Sequence, residues 1–316
     1  MKKLFAKTLI VISVFFSINT LAAYPEKPIT IIVPWGAGGN TDTVARLVAK
    51  GLQEELNVNV NVVNRTGGSG VVGHNAIKQA KPDGYTLGIT TVEIAMMHHQ
   101  KMTDLSYQDY TPIARLAVIS GGIQVAKDSP YNDVNALLVA IKDNPGKLKA
   151  SGSGLNSIWH LNLLGILKSA GLAENSVKFV PSQGASAALQ ELVSGGIDFV
   201  TSSPGEAQSM TNAGMVKHLA IVSAEKSALY PDIPVYQEVT PYKWTLNAWN
   251  VLSAPKNLPD DIRKILTKAM EKVYSNGELQ KFASKQGFEV SALYDQDLEK
   301  FMMDEDEKFG KLILAQ

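Results

Sequence analysis

The sequence predicts an α/β fold of two lobes, each built on a mostly parallel sheet flanked by helices. Apolar runs of strand length alternate with amphipathic helical stretches, which is the pattern of βα units. The alternation forms two series, the second beginning near residue 123, and only helical stretches follow residue 258. Strands that are separated by whole helices pair in parallel through right-handed crossovers. A length of 316 residues is enough for two such domains.

The composition excludes several classes of protein. Hydrophobic residues make up 45% of the chain, which is typical of a globular protein with a sizeable core. Basic and acidic side chains balance at 30 each, which argues against a nucleic-acid partner and against a polybasic membrane-surface protein. The chain has no cysteine, so disulfides, zinc–thiolate sites, iron–sulfur clusters and cysteine nucleophiles are excluded.

The first 23 residues have the pattern of a cleavable signal peptide. Lysines at positions 2, 3 and 7 precede an apolar run over 9–18, and small residues at 22 and 23 offer a cleavage site. The run is shorter than the roughly 20 residues that a membrane span needs. We therefore expect an exported, periplasmic protein whose mature chain carries 27 basic and 30 acidic side chains, a net charge of −3.

The first series begins with a continuous apolar run over 29–33, which predicts a buried strand. A glycine loop separates it from a helix over 41–55, in which Val44, Val48 and Leu52 share one face. The pattern then predicts a strand over 58–63, a helix over 71–80 and a strand over 85–90.

The second series and the tail complete the predicted elements. Strands are predicted over 123–126, 148–151, 177–181, 197–201 and 218–222. Helices are predicted to start near residues 131, 156, 184 and 204. The tail predicts helices over 259–274, 277–285 and 296–314, which proline and glycine residues separate.

The loop after the first strand, over 34–42, is the strongest candidate for a binding site. It lies at the carboxyl edge of the predicted sheet, where open α/β sheets bind ligands. Its glycines let a ligand approach the backbone and free amides at the helix start attract an anion, although a plain tight turn with a helix cap is the alternative. A dinucleotide fingerprint would need glycine in place of Thr41, and the lysine of a P-loop is missing. The candidate ligand-binding residues here are Trp35, Gly36, Gly38, Gly39, Asn40, Thr41 and Asp42.

Five further loops of small and hydroxyl-bearing residues follow predicted strands in both lobes. Each alone is compatible with an ordinary helix cap. Together they predict a cleft between the two lobes whose two sides are lined with neutral hydrogen-bond donors. Such a cleft suits a small anion held by amides, hydroxyls and water. The candidates are Ser69, Gly70, Thr91, Ser151, Ser153, Gly154, Ser182, Gly184, Ala185 and Ser203.

Histidines and catalytic motifs offer little support for a metal site or an enzyme. His98 and His99 are adjacent, and adjacent ring nitrogens rarely share an ion, so we predict no metal. His160 either anchors its helix or faces the cleft. The chain has no Gly-x-Ser-x-Gly nucleophile elbow. We therefore predict no catalytic residue and no cofactor, with Trp35 as the floor of the site.

Five segments, specific when taken together, resemble a known family. They are YPEKPITIIVPWGAGGNTDTVAR (24–46), VVNRTGGSGVVGHNAIKQAKPDGYTLG (62–88), SGSGLNSIWHL (151–161), VPSQGASAALQELVSGGIDF (180–199) and LYPDIPVYQE (229–238). They resemble the substrate-binding proteins of tripartite tricarboxylate transporters, the Bug-type receptors. The resemblance implies a periplasmic binding protein fold of type II, and a receptor that delivers a small carboxylate to integral membrane permease subunits.

The resemblance also assigns roles to loops. It implies that residues 35–42 and Gly184-Ala185 hold one carboxylate, partly through ordered water, with residues 151–157 beside them. Many relatives have an aromatic residue in place of Ser182 and Gly-Thr in place of Asn156-Ser157. We therefore expect these positions to contact the far end of the ligand, which adds Asn156 and Ser157 to the candidates.

The expected organisation is a monomer with two chain crossings between its lobes. We expect one lobe from residues 24–123 and 246–316 and the other from 124–245, with crossings near Gln124 and Asn247.

An exported hydrolase or transferase on a similar scaffold, or a receptor that serves a sensor, remains the alternative. A receptor predicts a cleft without a nucleophile–base pair. We expect Arg46 to serve mainly stability.

Overall fold

The computed structural model describes residues 24–286 and 289–314. The predicted signal peptide, residues 1–23, lies outside the described residues. Among the helices of the described part, none has both the length and the apolar character that a membrane crossing requires.

The described elements alternate as predicted through most of the chain. The first are β1 (Ile29–Val33), α1 (Asn40–Leu56), β2 (Val60–Asn64), α2 (Val71–Lys78), β3 (Thr86–Thr91) and β4 (Tyr110–Ala126). The next are α3 (Val134–Asp143), β5 (Lys149–Ser151), α4 (Ile158–Ser169), β6 (Lys178–Phe179), α5 (Ala185–Val193), β7 (Phe199–Val200), α6 (Pro204–Asn212) and β8 (Val216–Val222). The last are α7 (Tyr236–Val239), β9 (Asn247–Pro255), α8 (Asp260–Ser275), α9 (Glu278–Gln286), β10 (Glu289–Leu293) and α10 (Asp295–Leu314).

Each lobe contains a set of three parallel strands. In the first, β1 lies between β2 and β3 and runs parallel to both. In the second, β5 lies between β6 and β7 and runs parallel to both. The loops that follow these strands therefore meet at the carboxyl edge of each sheet, as the sequence predicted. The predicted two-lobed α/β fold is confirmed.

The sequence analysis largely missed two antiparallel strands, β4, which extends through both lobes, and β9, which lies beside it in the first. Only residues 123–126 of β4 were predicted, and β9 was not predicted at all. Residues 110–120 of β4 pair with β9, which also pairs with β3, and residues 121–126 pair with β8. Pro112 and the pair Gly121-Gly122 interrupt the apolar pattern of β4, because proline and glycine are unusual inside strands. The complete sheet is therefore mixed, and its parallel part is the predicted βα series of each lobe.

We define the first lobe as β1, β2, β3, β9, β10 and residues 110–120 of β4, with their helices, and the second lobe as β5–β8 and residues 121–126 of β4, with theirs. The tail helices α8, α9 and α10 match their predicted ranges within one residue. Between α9 and α10 the structure adds β10, which pairs with β4.

The largest hydrophobic core lies in the first lobe and reaches across to the second. It includes the buried residues of β1, β3 and β9 and the inner face of α1. Ile158 and Trp159 at the start of α4, and Ala185 at the start of α5, belong to the same cluster. The second lobe contacts the first through the starts of these two helices, and the candidate site lies there.

Candidate ligand-binding site

A cavity of about 40 Å³ lies between the two lobes, where the glycine loops meet. It has room for about three water-sized spheres, since one such sphere needs roughly 10–15 Å³. The predicted site residues that line it are Trp35, Gly36, Gly39, Asn40, Thr41, Thr91, Ser153, Gly184 and Ala185. The structure thus brings predicted loops of both lobes to one cavity.

The other predicted residues lie in the same loops but do not line the cavity. They are Gly38, Asp42, Ser69, Gly70, Ser151, Gly154, Asn156, Ser157, Ser182 and Ser203. The hydrogen bonds that they form are to atoms of neighbouring loops and of the helices that follow them, so these residues hold the loops in place. Ser182, for example, donates through its amide to the Ser153 carbonyl (2.9 Å) and through Oγ to the Gly184 carbonyl (3.0 Å).

Asp42 organises the first glycine loop. Its carboxylate accepts hydrogen bonds from the Gly38 amide (3.0 Å), from Asn64 Nδ2 (2.9 Å) and from Arg46 through Nε (3.0 Å) and an Nη atom (2.9 Å). Burial alone would raise the pKa of Asp42, but the hydrogen bonds from Arg46, Gly38 and Asn64 outweigh it and hold that pKa below its usual range. Gly38 itself has φ of +81°, a conformation that glycine adopts readily.

His74, which the sequence analysis did not single out, joins the second glycine loop to the end of β3. Its Nδ1 lies 2.8 Å from the Gly70 carbonyl, and its Nε2 lies 3.1 Å from the Thr91 amide. Since the carbonyl can only accept and the amide can only donate, Nδ1 carries the proton. Burial lowers the pKa of His74 to about 4. The ring is therefore neutral near pH 7 and positions two predicted site residues.

The segment before α4 is fixed by its own hydroxyls. Ser157 donates to the Gly154 carbonyl (2.6 Å), and Ser153 and Ser157 share a hydrogen bond of 2.5 Å. His160 anchors this helix, because its Nδ1 accepts from the Asn156 amide (3.2 Å). This geometry decides between the two roles considered for His160.

Direct hydrogen bonds close the cleft from one lobe to the other. The Gly36 amide donates to the Gln183 carbonyl (3.1 Å), and Ser69 Oγ donates to the Leu155 carbonyl (2.7 Å). A Cβ at Gly154 would lie 2.3 Å from Ser69 Oγ, so only glycine permits this approach. The conformation is therefore a closed one.

Sequence reasoning missed two acidic residues of the cavity wall, Glu93 and Glu206. Glu93 accepts hydrogen bonds from the Thr91 hydroxyl and from the Ile158 amide, and burial raises its pKa. Glu206 accepts from the amide and the hydroxyl of Ser203 (3.1 and 3.0 Å). Burial, aided by the neighbouring Glu93, raises the pKa of Glu206 to about 7. The spacing of Ser203 and Glu206 is a visible capping box, but that pattern indicates only a helix start.

The wall also contains Trp159, Trp249 and Asn250. The sequence predicts the two tryptophans as core or cleft-wall residues and does not single out Asn250. Asn250 donates through Nδ2 to Asn40 Oδ1 (3.0 Å), which fixes the side chain of the first residue of α1. Trp249 lies on β9, a strand absent from the prediction. Sequence patterning gave no signal for these contacts, because they depend on how β9 packs beside β3.

One hydroxyl–imidazole contact bears on the question of catalysis. Thr91 Oγ1 lies 3.3 Å from His74 Nε2. The Nε2 lone pair already accepts from the Thr91 amide, and the low pKa of His74 makes it a weak base. The Thr91 hydroxyl donates to Glu93 instead. The arrangement is therefore one of positioning and lacks the features of an activated nucleophile.

The His98-His99 pair lies apart from the cavity, against α10. Their Nε2 atoms lie 3.2 and 3.4 Å from the two carboxylate oxygens of Asp306. These three groups offer ligand atoms within 4.8 Å of one another. The prediction that they hold no metal stays a prediction, and the contacts with Asp306 tie the turn after β3 to α10.

Comparisons with known proteins agree over most of the chain. A family model described as "Tripartite tricarboxylate transporter family receptor" matches residues 44–316. Protein BugT of Bordetella pertussis is 26% identical over 97% of this chain and 96% of its own. A TctC solute-binding protein from Polaromonas is 28% identical over 93% of this chain and 100% of its own, with a TM-score of 0.66. MatC from Rhodopseudomonas palustris, solved with bound malate, has the same fold (TM-score 0.81) at 24% identity, over 92% of this chain and 100% of its own.

Proposed function

The chain belongs to the tripartite tricarboxylate transporter receptor family, and from that premise we propose that it captures a small carboxylate between its lobes. The likeness to BugT and to the TctC protein confirms the resemblance found in the sequence. The proposal concerns this chain's own ligand, which family membership alone does not identify.

One observation carries the proposal: two helices from opposite lobes begin at the cavity without a side-chain cap. The residues that precede α1 and α5 are Gly39 and Gly184, and both line the cavity. Glycine offers no oxygen to the first amides of a helix. The Asn40 amide of α1 donates to the Glu206 carboxyl, but no side chain of the preceding residue caps the other first amides of α1 and α5, so they can bind an external acceptor. The partial positive charge of both helix starts favours an anion.

A carboxylate is the anion that fits this arrangement best. MatC, which shares the fold, carries malate. In this chain Thr41 lines the cavity beside the start of α1, so its hydroxyl can donate a further hydrogen bond to a carboxylate. The Ser153 hydroxyl donates to Ser157 instead, because Ser157 already donates to the Gly154 carbonyl. Ordered water would fill the remaining volume.

We further propose that the mature protein is periplasmic after removal of residues 1–23, acts as a monomer without a cofactor, and delivers its ligand to integral membrane permease subunits. The pattern of the first 23 residues supports export. The proposed lobe ranges are about 24–123 with 246–316, and about 124–245, and the pairing of residues 121–123 with β8 favours a boundary three residues earlier. The change of partner of β4 between Ser120 and Gly121 supports a hinge near Gln124 and Asn247.

Calorimetry against mono-, di- and tricarboxylates and amino acids tests the proposal. We expect saturable binding of one carboxylate, and NMR spectra of that ligand after incubation with the protein should show no product. A product that forms in proportion to protein concentration would establish the hydrolase or transferase alternative. Absence of binding by every carboxylate would refute the receptor proposal.

A further inference from the structure

The cavity wall carries two acidic side chains and, among its described residues, no basic one. Glu93 comes from the turn after β3 in the first lobe, and Glu206 from the first turn of α6 in the second. Glu93 is only 3% exposed. Glu206 is partly buried. A carboxyl group as deeply buried as that of Glu93 is normally paired with a positive charge. Here the wall supplies none, so a positive charge from outside would complete it.

Each carboxyl group reaches across the cleft to a helix of the opposite lobe. Glu93 Oε1 accepts a hydrogen bond of 3.2 Å from the amide of Ile158, the first residue of α4. The amide of Asn40, the first residue of α1, donates to the Glu206 carboxyl. These contacts fix both groups in the closed cleft, but a backbone amide brings only a partial positive charge. Burial raises the pKa of both side chains, in agreement with a site that lacks a cation.

Three tryptophans line the same cavity, and they point to the same kind of ligand. Trp35 belongs to the first glycine loop, Trp159 to the first turn of α4 and Trp249 to β9. Indole rings attract cations more strongly than other aromatic side chains do. Acidic groups combined with indoles favour a cationic nitrogen, including one that carries methyl groups.

A ligand with two or three carboxylates fits this wall poorly. One carboxylate can occupy the uncapped start of α5 and the first-turn amides of α1 other than that of Asn40, which Glu206 accepts. Any further carboxylate would approach Glu93 and Glu206 in a cavity of about 40 Å³, where like charges repel and little water screens them.

We propose that the ligand is a small carboxylate that also carries a cationic nitrogen, which Glu93 and Glu206 bind. The inference rests on the proposed function, from which it takes the carboxylate, and it adds the charge of the ligand's other end. Glu93 and Glu206 are then residues that determine specificity.

A panel with matched end groups tests the inference by calorimetry at pH 7.5. Butyrate, glutarate, 4-aminobutyrate and 4-(trimethylammonio)butyrate share one spacer and differ in the group at its far end. The same series with shorter and longer spacers, citrate and the protein amino acids complete the panel. We expect the tightest ligand to carry a cationic nitrogen and to bind at least about tenfold more tightly than the dicarboxylate of equal spacer. The primary and trimethylated amines distinguish the two kinds of cationic nitrogen.

Substitutions test whether the preference for a cationic ligand depends on Glu93 and Glu206. Glu93→Gln and Glu206→Gln keep the shape and one acceptor oxygen of each side chain and remove the charge. Each should reduce the preference for the cationic ligand by about tenfold or more without weakening the dicarboxylate. Glu225→Gln, an exposed change outside the cavity, is the matched control and should bind as the unchanged protein does.

The outcomes separate this inference from the proposed function. If a di- or tricarboxylate binds most tightly, or if both glutamine variants keep the preference, the inference is wrong and the carboxylate receptor stands. If butylamine binds as tightly as 4-aminobutyrate, or if no carboxylate binds, the proposed function itself is wrong.

Discussion

Asp42 and Glu206 occupy the same position in two helices of opposite lobes, yet their electrostatic surroundings are opposite. Each is the third residue of its helix, α1 or α6, and each accepts hydrogen bonds at that helix's start. One turn later α1 has Arg46 and α6 has Met210. Hydrogen bonds hold the pKa of Asp42 below its usual range, whereas burial raises that of Glu206 to about 7.

The difference separates an acid that is paired within the fold from an acid that faces the cavity, to which we assign the ligand's cationic nitrogen. Asp42 has its cation within the chain, and its carboxylate does not line the cavity. Glu206 has no such partner and lines the cavity with Glu93. A sequence-level rule that assigns acids near glycine loops to ligand binding selects Asp42, which does not line the cavity, and overlooks Glu206, which does.

Of the substitutions considered, Asp42→Asn should lower the free energy of unfolding most. The change removes the charge that three donors share, and the new amide group faces the Gly38 amide or Arg46. We expect a loss of about 2–4 kcal/mol of unfolding free energy at pH 7. Urea denaturation measures it, with the exposed change Glu54→Gln on the same helix as control.

The pH dependence of this effect has a defined sign. Because the folded pKa of Asp42 lies below 3.8, its stabilising effect is present above about pH 3.8 and is lost as the pH falls through the folded value. The difference between the two proteins should therefore shrink in acid. A loss below about 1 kcal/mol at pH 7 would contradict the structural role of Asp42.

Glu206→Gln should show the opposite behaviour. The folded protein retains a proton on Glu206 up to about pH 7, whereas the unfolded chain releases it near 4.5. Stability from this group is complete below about pH 4.5 and is lost as the pH rises to about 7. Relative to the unchanged protein, the ligand-free variant should gain about 1–3 kcal/mol at pH 8 and nothing near pH 4.5.

At each pH the stability of the Glu206→Gln variant must be compared with that of the unchanged protein, because three histidines titrate in both. Burial lowers the pKa of His74, His160 and His218 to about 4, which makes stability rise with pH up to about 6.5. Their contribution cancels in the difference. A gain that is equal at pH 4.5 and pH 8 would show that the charge of Glu206 is not its cause.

The βα loops could be predicted because a local pattern encodes them. Apolar runs that end at glycine placed Gly36, Thr91 and Gly184 at sheet edges, and these residues line the cavity. The parallel order of each sheet follows from the helices between the strands. Such predictions need only the spacing of residues along the chain.

The acids and the far wall could not be predicted because they depend on packing between distant segments. Glu93 meets Ile158, 65 positions away, only because the lobes close. Trp249 and Asn250 reach the cavity because β9 pairs with β3. No periodic pattern states which polar side chain faces a cleft and which, like Asp42, faces its own loop.

Of the three substitutions, Arg46→Ala should change the free energy of unfolding least. It tests whether Asp42 needs the positive charge of the Arg46 guanidinium. The Arg46 side chain is 53% exposed, and Asp42 would retain the donors Gly38 and Asn64. We therefore expect a loss of only about 0.5–1 kcal/mol, reduced further in high salt, and a ligand affinity within about twofold of the original. Urea denaturation measures the stability and calorimetry the affinity. Lys50→Ala is the matched control, because Lys50 forms a largely exposed ion pair with Glu54 on the same helix. If Arg46→Ala instead removes binding while the chain stays folded, the guanidinium recognises the ligand. The assignment of Asp42 and its partner Arg46 to a purely structural role would then be wrong.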